Sequence, residues 1–234
     1  MNMVSLLSHD LDTDPRDDRE LDALLAAGER VRAASFKFPH LRRRYRVGRA
    51  TLRCALGART GRPPSSLALE TGPQGKPALR NGPVFNASHA AGRLLLAIAP
   101  EGRLGVDIEL LHRVDDLEAI SRQNFAEDER EAVLATPLAE RDRAFLEIWT
   151  RKEALIKAIG GGLSIPLRSF SVSLVTRPGS LLHRLDLPGE TPAQWCLRAV
   201  ADVPGAPEAA AALAFDVPDW QIEWLPPSAA FSQA

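Results

Sequence analysis

Apolar positions along this chain switch between helical and extended spacing, and the switches outline its elements. Residues 3–7 suit a short strand. Leu21, Leu24, Leu25 and Val31 recur at helical intervals and predict a helix over residues 21–34. Pro39 precedes an amphipathic stretch at 41–57, with Leu41, Tyr45, Val47, Leu52 and Leu56 as core contacts, and Arg62-Pro63-Pro64 breaks it. Strands are predicted at 65–70, at Val84-Phe85 and at 93–99. The turn chemistry of Gly72-Pro73-Gln74-Gly75-Lys76-Pro77 puts Lys76 on a loop, and Asn86-Ala87-Ser88-His89 reads as a strand running out into a polar connection.

The second half follows a similar order. A strand around Val106 leads to helices at Leu117–Asn124 and 127–134, and then to a longer one at Arg141–Ile159 stopped by Gly160-Gly161-Gly162. An extended piece at 163–167 precedes strands at 170–175, 181–187, 194–200, 209–215 and 221–225. Helices plus antiparallel-type strands in each half give an α+β class. The boundaries fall at residues 1–104 for one half, 105–225 for the other and 226–234 for a poorly ordered tail, with no strict internal repeat visible.

Two short pieces carry the candidate chemistry. In Gly105-Val106-Asp107-Ile108-Glu109 the acids alternate with apolar residues, and side chains two apart on a strand share a face. Asp107 and Glu109 should therefore point together while Val106 and Ile108 enter a core. Neighbouring carboxylates repel, a cost that a divalent cation removes; hard oxygen donors favour Mg²⁺, held by one or two carboxylates plus substrate phosphate oxygens. The second piece is Trp149-Thr150-Arg151-Lys152-Glu153-Ala154-Leu155-Ile156-Lys157. Phe145, Ile148, Trp149, Leu155, Ile156 and Ile159 form one stripe of its helix, and Lys152 falls near the middle of that stripe. A buried lysine needs a carboxylate partner, and the expected partners are Asp107 and Glu109. Glu153 lies at the edge of the stripe, with Lys157 one turn further on. Each piece alone also reads as an exposed strand pair or as ion pairing on a helix surface. Together with the Lys76 loop and Ser88-His89, they favour a functional cluster, in which His89 suits a phosphate contact, a base-stacking contact or a turn bonded to its own backbone.

Composition narrows the class. An apolar share of 45% and a charged share of 25% place the chain among globular proteins. Cys54 and Cys196 stand too far apart for a disulfide framework or a zinc cluster and read as small buried hydrophobes. With no signal-peptide pattern and no membrane-length apolar run, a cytoplasmic protein without a membrane partner is expected. Residues 29–104 carry 15 Lys and Arg against 3 acids, whereas residues 105–234 carry 12 against 20. That split suits a polyphosphate held between a cationic half and a metal-binding half; a solvated arginine face on Arg42, Arg43, Arg44, Arg46, Arg49 and Arg53 is the alternative. Nucleic acid is disfavoured, because one tyrosine interleaves the basic run and the pI is about 6.5.

In order and approximate spacing, five segments resemble the motifs of the 4′-phosphopantetheinyl transferases: Gly75-Lys76-Pro77, Asn86-Ala87-Ser88-His89, Gly105 to Glu109, Phe125-Ala126-Glu127-Asp128-Glu129, and Trp149 to Lys157. The closest class is the large one that activates peptide synthetases and polyketide or fatty-acid synthases, and the resemblance covers residues 29–172. It implies a monomeric pseudodimer of two similar α+β halves with coenzyme A in the cleft between them. It also implies transfer of the phosphopantetheine arm from coenzyme A to a serine of an acyl or peptidyl carrier domain, releasing adenosine 3′,5′-bisphosphate. By the same resemblance Asp107, Glu109 and Glu153 hold Mg²⁺ or Mn²⁺, and Lys157 meets the α-phosphate region. Ser88 and His89 contact the 3′-phosphate, Lys76 the adenosine-phosphate end, and Arg32 and Arg44 supply further basic groups. One family lysine position lands on Glu29, so Arg30 substitutes or the contact is absent. Glu153 is left open as metal ligand or general base. The carrier is expected to dock at residues 110–138. The competing reading is a catalytically degenerate relative that only binds carrier domains or nucleotides; the intact Asp107, Glu109, Glu153 and Lys157 argue against it.

Overall fold

The computed structural model of the protein describes residues 2–72, 74–176, 179–217 and 220–231. β1 (Asn2–Asp10) is followed by α1 (Asp18–Leu24), α2 (Ala27–Ala34) and the long α3 (Pro39–Thr60). A hairpin of β2 (Leu69–Thr71) and β3 (Pro77–Leu79) leads to β4 (Val84–Ala90), β5 (Arg93–Ala99) and β6 (Leu104–Glu109). Next come α4 (Leu117–Asn124), α5 (Glu127–Ala135) and α6 (Arg141–Ile159). The chain finishes through β7 (Phe170–Val172), β8 (Leu182–Leu185), β9 (Cys196–Ala199), β10 (Ala210–Phe215) and β11 (Trp220–Trp224).

Two sheets packed face to face form the centre. The first has the order β11-β1-β5-β4 and the second β6-β10-β9. Strand alternation makes each sheet two-faced. Val4, Leu6, Leu95 and Ala97 of the first sheet meet Val106, Ile108, Leu213 and Phe215 of the second. The outer face of the first sheet carries α3, whose Leu52, Ala55 and Leu56 pack on Leu7, Phe85, Leu96 and Ile98. The outer face of the second carries α6, with Ala154, Leu155 and Ala158 among Leu197, Ala212 and Ala214. The layering is thus helix, sheet, sheet, helix, a mixed helix-and-sheet fold. No helix among the described residues is long and apolar enough to cross a membrane.

Several sequence expectations need correction. The helix predicted at 21–34 is two helices, because Leu25 and Ala26 are extended; the Glu29 carboxylate accepts the Ala26 N–H at 3.0 Å and starts the second helix there. Pro64–Ser66 is a single turn of 3-10 helix and not strand, and of the extended piece expected at 163–167 only Ile165 and Pro166 are extended, between the 3-10 turns Gly162–Ser164 and Leu167–Ser169. Ser88 and His89 lie inside β4 and not on a connection. The last strand does not stay with residues 105–225: β11 pairs in parallel with β1, Ile222 opposite Val4, so the C-terminal boundary crosses between sheets. The described part of the tail is also ordered. Pro227–Ala230 forms a turn, and the Phe231 ring packs 5.5 Å from His9 beneath the Arg16 guanidinium. Residues 232–234 of that tail, and Pro73 of the predicted turn, lie outside the described residues.

Candidate active site

The site begins with a close approach between α6 and β6. Gly105, Asp107 and Glu109 occupy the face of β6 turned to α6, and the residues opposite them on β10 are Ala214, Ala212 and Ala210. Glycine and alanines leave room for the helix backbone to settle onto the sheet. A Cβ at Gly105 would lie 2.1 Å from the Ala154 carbonyl oxygen and 2.3 Å from the Ala158 nitrogen, which no real Cβ tolerates. Alanine favours helices in isolation, yet here six of the residues of β10 are Ala or core apolar because both its faces are buried.

That contact brings the next turn of α6 over the acids. The Lys157 ammonium donates to Asp107 Oδ1 at 2.5 Å and to Ser88 Oγ at 2.9 Å. Ser88 in turn donates to Asp107 Oδ1 at 2.7 Å. Asp107 is buried, and its Oδ2 has no hydrogen-bond partner among the described residues. Burial first, and repulsion from Asp107 second, raise the proton affinity of both Glu109 and Glu153 above the ordinary carboxylate range. Gln74, Lys76, Asn86, Glu153 and Lys157 line the adjoining cleft of about 300 Å³. The structure therefore gathers Ser88, Asp107, Glu109, Glu153, Lys157 and Lys76 in one region.

Other predicted groups sit elsewhere. Successive strand residues point to opposite faces, so the His89 side chain leaves β4 away from Ser88. It is exposed and lines a second cavity, of about 340 Å³, with Arg44, Tyr45 and Phe36. The Ser88 and His89 side chains therefore open toward different sides of β4, Ser88 toward Asp107 and His89 toward this second cavity. Lys76 is not a solvated loop lysine. Its ammonium donates to the Leu104 carbonyl at 2.7 Å and the Lys157 carbonyl at 2.6 Å, and burial pulls its pKa down to about 8. Arg32 is exposed and stacks over Phe36.

The arginine-rich helix is largely neutralised from within. Arg44 pairs with Asp12 at 2.6 Å, Arg43 with Asp18 at 3.3 Å, and Arg46 with Asp18 at 3.0 Å and Asp22 at 2.9 Å. Glu29 lies between Arg49 and Arg53. Arg30 donates to the Asp22 and Leu25 carbonyls, capping α1. The acids that answer the basic run of residues 29–104 therefore come mostly from residues 1–28, and the contrast with the acidic second half overstated a polyphosphate-binding pole.

Lys152 is buried as its helical position predicts, but with a different partner. It bonds both oxygens of Glu129 at 2.7 Å and the Phe170 carbonyl at 2.8 Å, and not Asp107 or Glu109. Glu129 also accepts the backbone N–H groups of Val172 and Ala126. The sequence signal for this partner was Glu129 in the first turn of α5, directly after the apolar Phe125-Ala126 pair; its role as Lys152's counter-ion was missed. Asn86 was missed as well: its Oδ1 accepts the Val106 N–H at 2.8 Å and ties β4 to β6.

By donor chemistry the acids fit a hard divalent cation. Among the described residues one buried carboxylate oxygen lacks a partner, and two neighbouring carboxyls hold protons more tightly, through burial first and that same Asp107 charge second. They do not close a cage by themselves: among the described residues no three His, Cys, Asp or Glu side chains are arranged to hold a metal ion. Mg²⁺ commonly takes only one or two carboxylates and completes its shell with phosphate oxygens and water, so the set remains suitable.

Comparison with known proteins agrees with this clustering. A family model described as the 4′-phosphopantetheinyl transferase superfamily matches residues 103–214, which hold β6, α6 and all but the last residue of β10. The 4′-phosphopantetheinyl transferase HetI of a Nostoc species is 34% identical over 169 residues, 70% of this chain and 71% of that one. The 4′-phosphopantetheinyl transferase Sfp of Bacillus subtilis is 31% identical over 168 residues, 66% of this chain and 74% of that one. The 4′-phosphopantetheinyl transferase psf-1 of Bacillus pumilus is 31% identical over 157 residues, 66% of each chain. The chain belongs to the 4′-phosphopantetheinyl transferase superfamily.

Proposed function

We propose that this protein moves the 4′-phosphopantetheine arm of coenzyme A onto a serine of an acyl or peptidyl carrier domain, with Mg²⁺ or Mn²⁺ as its ion. The observation that carries the reading is the cluster of Lys157, Ser88 and Asp107 beside Glu109 and Glu153 at one cleft. Two sheets with a long helix on each support the further reading of the fold as a pseudodimer, with the cleft between its halves.

In the proposed reaction the serine oxygen bonds to the phosphorus that carries pantetheine, and the P–O bond to the bisphosphate breaks. Glu153 accepts the serine proton; its raised proton affinity brings it nearer to the working pH, where a general base is most effective. Adenosine 3′,5′-bisphosphate leaves with the bonding electron pair, and Lys157 meets its growing negative charge. Asp107 and Glu109 would hold the cation, leaving Glu153 as the base; when bound, the ion neutralises the pyrophosphate and supplies several kcal/mol of charge stabilisation. Lys76 lines the cleft with two of its N–H groups on backbone carbonyls, and the third would serve a phosphate oxygen. His89 and Arg44 would serve the nucleotide end from the second cavity, with Arg32 beside it over the Phe36 ring. Exposed Leu111 and Leu138 bracket the surface proposed for carrier docking.

The test is direct. Incubation with coenzyme A, Mg²⁺ and a panel of apo carrier domains should add the mass of one phosphopantetheine to at least one of them. A carrier that binds but gains no mass would support the degenerate binder instead.

A further inference from the structure

β4 and β6 are edge strands of different sheets with no backbone ladder between them. Side chains join them. Asn86 takes the Val106 N–H, and two residues along the same face Ser88 reaches Asp107 at 2.7 Å. Ser88 is only 6% exposed and Asp107 4%. The hydroxyl donates its one proton to Asp107 Oδ1 and accepts from Lys157, which also bonds that same oxygen. Oδ1 is thus held by two donors, while the buried Oδ2 has none. A lysine alone can swing between the two oxygens of a carboxylate. A serine fixed on a strand of the opposite sheet cannot, and it decides which oxygen Lys157 keeps.

We infer that Ser88 is a positioning residue for the Asp107 carboxylate. Its hydroxyl fixes Oδ1 against Lys157 and leaves Oδ2 for a divalent cation. This rests on the transferase reading for the identity of the ion's use, but the bond network stands without it. Removing an outer group that orients a metal-binding carboxylate typically costs about 10- to 100-fold in metal affinity or activity.

Mn²⁺ binding to the full chain without coenzyme A, followed by the electron paramagnetic resonance of free Mn²⁺, reads this separately from catalysis. Ser88→Ala should weaken Mn²⁺ by about tenfold or more. Ser88→Thr keeps the hydroxyl on a side chain that strands accommodate and should restore binding to near wild type. With a responsive carrier, Ser88→Ala should lower kcat, leave KM for coenzyme A unchanged, and lose the same factor with 3′-dephospho-coenzyme A. Unchanged Mn²⁺ affinity in Ser88→Ala overturns the inference, as does a KM defect seen with coenzyme A and absent with the dephospho form. Wild-type protein that binds no Mn²⁺ overturns it too. Failure of wild type to modify any carrier defeats the transferase reading instead, and the Mn²⁺ comparison still decides the role of Ser88.

Discussion

Helix α6 carries two lysine–carboxylate pairs five residues apart, and they are opposites in every respect but charge. Lys152 and Glu129 are both fully buried, and each has its bonding capacity filled by the other and by backbone. Lys157 is 28% exposed at a cleft, and its partner Asp107 keeps one buried oxygen without a bond. The first pair joins α6 to α5 and β7 and leaves no vacancy for a ligand. The second leaves capacity unused, and burial first and the Asp107 charge second raise the proton affinity of its neighbours Glu109 and Glu153. A saturated pair specifies an arrangement, whereas an incompletely satisfied one stores the free energy that a ligand can release.

Substitutions separate the two. Asp107→Ala should cost about a thousandfold in transfer rate, the equivalent of ~4 kcal/mol, if it removes the ion's principal carboxylate. Its stability to urea should stay within about 1 kcal/mol of wild type, because the ion pair it breaks is partly solvated. Wild-type turnover in that variant would end the metal assignment. Glu129→Ala should do the reverse: it leaves a buried ammonium unpaired and strips two backbone N–H groups of their acceptor, a destabilisation of about 3 kcal/mol or more. The double variant Glu129→Leu with Lys152→Met should regain most of that loss in a urea melt. A Glu129→Ala protein as stable as wild type would show that the pair is not a structural clamp.

How far each pair was legible follows from the range of the contacts. The shared face of Asp107 and Glu109 is a local consequence of strand alternation, and the end of α6 follows from Gly160 in a left-handed conformation. Burial of Lys152 likewise followed from its place on an apolar stripe. Its partner did not, since two sets of acids lay elsewhere in the chain and helical spacing does not choose between them. Ser88 and His89 look alike as neighbours in sequence and are divided only by the strand they form. The arginines of α3 found acids at residues 12 to 29, a pairing that a running charge balance hides. The parallel addition of β11 beside β1 joins the two ends of the described chain, and nothing local announces it.

Gly105 tests whether the open pair depends on backbone approach. Gly105→Ala drives a methyl group into the Ala154 carbonyl and the Ala158 amide, so α6 must lift from β6 at the turn that carries Lys157. Overpacking of this kind costs about 1–3 kcal/mol. Displacement of Lys157 and Glu153 by a fraction of an ångström to 1 Å should lower the rate by about a hundredfold. Lys152 lies at the other side of the helix and should keep Glu129. Hydrogen exchange should therefore show protection lost around Ala158 and retained at Val172; uniform loss would mean that the two pairs share one support.

The smallest effect concerns the cost of the open site to the resting protein. Glu109 binds its proton more tightly in the folded chain than in the unfolded one, chiefly through burial and next through the charge of Asp107. A carboxyl with a raised folded pKa favours the folded state when protonated and penalises it when ionised, so its penalty is present at neutral pH and disappears as pH falls through the raised value. Glu109→Gln should therefore raise Tm at pH 7.5 by about 1–2 °C, a modest figure because solvent at this half-buried group screens the repulsion. The advantage should shrink as the pH is lowered towards the unfolded carboxyl value of about 4.3. Mg²⁺ should narrow the same gap from the other side, by raising the wild-type Tm more than that of the variant. A Glu109→Gln protein that melts below wild type at pH 7.5 would show that Glu109 is a stabilising member of the fold, and that the strain of the open pair lies elsewhere.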